Sequence, residues 1–206
     1  MTLVEVLVVI VVLGILWAML MPRNNTPSKA PRITCLNNLH QLGLAYKTWE
    51  GDHGDKYPME VSVTNGGVME FIADGKNAWM VYLVMSNELS TPKVLICPAD
   101  TERFPPAISF STELVGRISY FVGLDASDAY PQMLISGDDN FSIGGIPVKP
   151  GLLQFSTNAP ISWTAGRHRF AGNIGFADGS AQELSNSSLT NLFPQTGLAT
   201  NRLAIP

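Results

Sequence analysis

An α+β fold is predicted for this chain: an N-terminal apolar helix, a Pro-rich linker, and a second helix packed on an antiparallel β-sheet. Three observations predict it. The opening stretch MTLVEVLVVIVVLGILWAMLMP contains one charged side chain, Glu5. After Pro31, Leu36, Leu39, Leu42, Tyr46 and Trp49 recur every three or four positions and form one helical stripe. From Ile118 onward β signals dominate, and Asp178-Gly179 stands between two alternating runs, the strongest short hairpin cue.

Composition narrows the class of protein. A chain of 206 residues suits one globular domain with an appendage. The net charge of −4 and the absence of a Lys/Arg cluster argue against a nucleic-acid partner. Only 15% of residues are charged, against 18 glycines and 14 prolines, a balance that fits a loop-rich, strand-containing exported domain.

Residues 1–22 form an apolar stem. The run from Val6 to Met21 is about 24 Å of helix, and with the residues before it approaches the roughly 20 needed to cross a bilayer. A cleavable signal peptide would carry basic residues before this run and an Ala-x-Ala pattern after it, whereas Pro22-Arg23 follows. A carboxylate near the bilayer centre costs about 3 kcal/mol, so Glu5 needs a partner, and the α-amine of Met1 or of a neighbouring subunit would supply one. Gly14 and Pro22 weaken the stem. Glycine costs about 1 kcal/mol relative to alanine, and proline removes an amide donor. In an assembled state the stem is expected to be helical from about Thr2 and to lose regular hydrogen bonding between Gly14 and Pro22.

Residues 23–31, with Pro27 and Pro31, read as a Pro-rich linker, and residues 32–206 as a globular α+β head with a C-terminal β-hairpin. The helix after Pro31 ends at GDHGDKYP. Asp52 and Asp55 flank Gly54 there without EF-hand spacing, which favours a solvated turn over a calcium loop. Asn77–Met85 fits a short buried helix or a strand by period, and the helix is favoured. Strands are expected at ISYFVGL, ISWTAG, NIGFA and SAQEL. Residues 125–160 read as surface loops with one short strand near Gln132–Ser136. Asp138 and Asp139 within them could bind calcium, but no third ligand stands at a defined spacing, so a solvated acidic turn is favoured.

Thr2-Leu3-Val4-Glu5-Val6-Leu7, Gly14 and Pro22 resemble the mature N-terminus of type IV pilins and type II secretion pseudopilins. The rest of the chain resembles bacterial pilin-like proteins that carry a His, nine residues, then Asp-Gly. Its anchors are Cys35-Leu36-Asn37-Asn38-Leu39-His40-Gln41-Leu42-Gly43, Cys97-Pro98-Ala99-Asp100, and His168 with Asp178-Gly179. This resemblance implies a type IV pilin-like fold. It also implies cleavage by a prepilin peptidase before residue 1, methylation of the new amine, residence in the bacterial inner membrane, and extraction by a pilus or secretion machine into a cell-surface or extracellular filament. Glu5 would then neutralise the amine of an adjoining copy. Two departures stand out: Met1 replaces the usual Phe, and Ser180 replaces a His found after Asp-Gly in many members.

An exported chain with two cysteines favours a Cys35–Cys97 disulfide, the alternative being two buried thiols. A zinc site built from Cys35, Cys97, His40 and His168 lacks paired-ligand spacing. Pairing His168 with Asp178, or with Ser180 as a nucleophile, is disfavoured because an extended Asn173–Ala177 separates them by about 16 Å. The expectation is therefore no enzyme and no cofactor, but a subunit that self-associates. A filament subunit, a short-piston pseudopilin and a membrane-anchored surface binding module are the three classes in view.

Overall fold

The computed structural model describes residues 2–20 and 29–206. Helix α1 spans Leu3–Leu20 and helix α2 spans Lys29–Asp52. Short helices follow at Met69–Ile72 (α3), Ala78–Val84 (α4), Ser86–Leu89 (α5) and Asn186–Leu192 (α6). The strands are β1 (Tyr120–Gly123), β2 (Leu134–Asp138), β3 (Phe141–Ile143), β4 (Ile146–Pro147), β5 (Gly151–Ser156), β6 (Ile161–Trp163), β7 (Ala171–Phe176), β8 (Ala181–Ser185) and β9 (Thr200–Ile205).

Thr2 and Glu5 begin α1 with a capping box: the Thr2 amide donates to Glu5 Oε2 at 2.6 Å, and the Glu5 amide faces Thr2 Oγ1 at 3.4 Å. The helix then passes Gly14 and runs to Leu20, so Gly14 does not interrupt it in the single chain. Its hydrogen bonds need only backbone, and among the described residues no side chain from elsewhere approaches Gly14. Pro22 and most of the expected linker lie outside the described residues, as does Met1. The described part of α1, 18 residues, measures about 27 Å. Among the described residues, no helix is long and apolar enough to cross a membrane.

Helix α2 starts at Lys29, so Pro31 lies within its first turn instead of ending a linker. Proline is tolerated there because the first-turn amides have no acceptor within the helix. Leu39, Leu42, Tyr46 and Trp49 are buried as the stripe predicts, Leu36 is half-buried, and Cys35 and Ala45 extend the buried face. The stripe packs on β7, β8 and β2 of a six-stranded antiparallel sheet, ordered β5-β9-β1-β2-β7-β8. A three-stranded sheet, β4-β3-β6, covers the other face together with α6.

Strands β1, β2 and β7 of the large sheet are thus buried on both sides. Tyr120 and Val122 face the α2 layer while Phe121 faces the small sheet; Ile135 and Leu134 divide in the same way. This corrects the reading of residues 125–160 as surface loops with one short strand. The segment supplies four strands, and β2 is central to the large sheet. The last strand is likewise β9, inserted between β5 and β1, so the Asp-Gly hairpin does not close the head.

That hairpin joins β7 to β8. Gly179 takes φ +82° at its turn, and the Ser180 amide donates to Asp178 Oδ1 at 2.8 Å. Helix α2 crosses this turn at Gly43. A Cβ built on Gly43 would stand 2.6 Å from the Gly179 carbonyl oxygen and 2.9 Å from its Cα, both backbone atoms with little room to move. Gly43→Ala is therefore expected to cost about 1–3 kcal/mol, read as a lowered denaturation midpoint. An unchanged midpoint would show that the helix-to-turn contact is loose.

Candidate functional site

Three chain segments converge behind the α2 layer, and each contributes to two adjoining polar clusters. Cys97 and Asp100 come from the loop before β1, Asp138 and Asp139 from the end of β2, and Arg167 and His168 from the loop before β7. The last of these is tightly wound. Arg167, Arg169 and Phe170 all take positive φ, at 55°, 51° and 62°, a conformation that costs a non-glycine residue about 1–2 kcal/mol. The winding turns both Arg167 and His168 inward.

In the first cluster Cys35 and Cys97 form a disulfide, with Cα atoms 5.2 Å apart. His168 Nε2 lies 3.3 Å from Cys97 Sγ and 3.4 Å from Asp138 Oδ2. Asp138 Oδ2 also accepts from the Asn173 amide at 2.8 Å and from its Nδ2 at 2.9 Å. All of these side chains are buried, His168 at 1% exposure. Arg32 of α2 closes the outside, bonding the His168 carbonyl and pairing with Glu183 at 2.8 Å.

The second cluster is an ionic one. Arg103 Nη1 pairs with Asp139 Oδ2 at 2.7 Å and Asp100 Oδ2 at 3.2 Å; Arg167 Nη2 meets Asp100 Oδ2 at 3.0 Å and also contacts Asp139. Ser119 Oγ donates to Asp100 at 2.8 Å, and Arg167 Nη1 donates to the Ser119 carbonyl at 3.0 Å. Burial pushes the Asp139 carboxyl above its ordinary pKa, and Arg167 and Arg103 pull it back only in part. Burial also opposes the charge on Arg167, but Asp139 and Asp100 outweigh it and leave its pKa raised.

These positions correct the view of Asp138 and Asp139 as a solvated acidic turn. Both are buried, and their carboxylates face different partners, one His168 and Asn173, the other two guanidiniums. Asp52 and Asp55 are exposed at the end of α2, and His40 is exposed on its polar face. His168 does not meet Asp178: six residues of β7, about 20 Å when extended, run between their loops. Asp178 and Gly179 make the hairpin turn instead, with Ser180 beside them. Asn173, Arg103 and Arg167 complete the clusters without having stood out in the sequence. The adjacent pairs Asp138-Asp139 and Arg167-His168 were the available signal, because neighbouring residues can serve two clusters where the backbone turns.

The arrangement binds segments together. With Cys97 oxidised and the Ser119 hydroxyl committed to Asp100, neither presents a nucleophile to His168. Comparison with protein families, curated proteins and solved structures finds no match.

Proposed function

We propose that this chain is a structural subunit, a pilin or major pseudopilin, that polymerises through α1 into a type IV pilus-like filament. The observation that carries this reading is the exposure of α1. Its apolar side chains face solvent on every side, from Leu3 at 81% to Trp17 at 70%. A helix apolar all round belongs in a bilayer or among other helices. Burying one Leu, Val or Ile side chain contributes about 1.5–3 kcal/mol, so packing α1 against copies of itself offers a large driving force.

Glu5 fits this reading. Its Oε2 caps its own helix, and the carboxylate stays exposed to accept the amine of an adjoining copy. Such a subunit performs no catalysis and takes no cofactor; its partners are other copies of the chain, the inner membrane before assembly, a prepilin peptidase and an assembly machine. Glu5→Leu is expected to leave the head folded and to abolish or strongly slow incorporation into fibres, scored by microscopy and by the amount of chain in sheared material. Normal fibre yield from this variant would contradict the role of Glu5.

A further inference from the structure

We infer that the dithiol form of this chain is a tetrahedral zinc site made by Cys35 Sγ, Cys97 Sγ, His168 Nε2 and a carboxylate oxygen of Asp138. These residues each offer a ligand atom within 4.8 Å of the others, and all four are buried. Two soft sulfurs, an imidazole nitrogen and a carboxylate oxygen are the donor types that Zn²⁺ takes, at about 2.3 Å from sulfur and about 2.0–2.2 Å from nitrogen and oxygen. Ligands at those lengths stand about 3.3–3.8 Å apart around a tetrahedral ion. The Cys97–His168 and His168–Asp138 separations of 3.3 and 3.4 Å already match. The two sulfurs must part, and cysteines with Cα atoms 5.2 Å apart allow this by rotation of their side chains.

The surroundings suit a metal. The Asn173 amide and Nδ2 orient Asp138 as outer partners of a ligating carboxylate do. Asp138 Oδ1 is buried with no hydrogen-bond partner among the described residues, so the carboxylate keeps one uncommitted oxygen while Asn173 holds the other. The strained backbone at Arg167, Arg169 and Phe170 holds His168 inward. Zn²⁺, two thiolates and one carboxylate sum to one negative charge.

The chain is synthesised with thiols, and Zn²⁺ binding releases both thiol protons to solvent. Disulfide and zinc use the same sulfurs, so the two states exclude each other. Opening the disulfide requires two electrons; a phosphine supplies them, water converting it to the phosphine oxide and giving two thiols.

The test uses the full chain in detergent, unfolded in denaturant and reduced with a phosphine, freed of reductant without air, and refolded with Zn²⁺. Metal analysis after gel filtration is expected to find about one zinc per reduced chain and none on the disulfide form. X-ray absorption should show two sulfurs and two lighter donors. His168→Ala and Asp138→Ala should each weaken binding about 10-fold or more, and His168→Cys, which restores a soft donor, should recover it. Absence of stoichiometric zinc on the reduced chain, folded or not, overturns the assignment. So does a shell without sulfur, or undiminished binding by His168→Ala.

Discussion

Arg167→Ala is expected to destabilise the head by about 3–5 kcal/mol at neutral pH, the range for removing one partner from a buried ion pair. The variant leaves Asp100 and Asp139 with Arg103 as their one remaining guanidinium among the described residues, and both carboxylates are almost fully buried. The loss should depend on pH in a definite direction. Asp139 already titrates above its ordinary value, chiefly through burial, and removing Arg167 takes away the largest influence that lowers it. The folded variant then holds a proton that the unfolded chain releases. Its stability rises as pH falls through that raised range toward the ordinary carboxylate value of about 3.9, and the gap to the wild type narrows. Denaturant titrations at several pH values check this. A gap that stays constant or widens on acidification would show that Asp139 is not the group left unpaired.

Removing the Cys35–Cys97 bridge is expected to cost about 4 kcal/mol, from the loop-closure entropy of a separation of 62 residues. The bridge ties α2 to the loop that carries Asp100, so its loss should loosen both polar clusters together. Native chain should give no alkylated cysteine by intact mass until it is reduced, and Cys35→Ser should lower the denaturation midpoint. Two modified cysteines without reductant would rule the bridge out in the native protein.

The elements legible in the sequence are those whose signal is local. The α2 stripe can be read because one helix face is buried, and the β7–β8 hairpin because Asp178-Gly179 sits in a tight turn whose geometry needs glycine. The start of α2 is harder to place, because Pro31 reads as a breaker, whereas a first-turn proline costs the helix no hydrogen bond. Strand β2 is only half legible. Its residues are buried on both faces, so Leu134–Asp138 shows no alternation, and its partners β1 and β7 come from distant segments. Strand β9 is hidden in a similar way, because its place between β5 and β1 is set by chain far from it in sequence.

The site follows the same division. Cys35 and Cys97 can be paired by counting, but Asp138 and Asp139 look like loop acids because nothing nearby in sequence announces Asn173, Arg103 or Arg167. Their partners meet them only through sheet order. The capping box at Thr2 and Glu5 is local and carries its own signal, the T-x-x-E spacing. A lone carboxylate in an apolar run also calls for a cationic partner, and that second requirement masks the simpler one.

Whether α1 assembles copies of this chain into a fibre is tested most directly by electron microscopy of material sheared from the cell surface, with an antibody to the head. Long fibres labelled along their length are expected in the wild type, and their loss in Glu5→Leu. Abundant, folded chain that remains in the membrane fraction, with no labelled fibre in the wild type, would contradict assembly through α1.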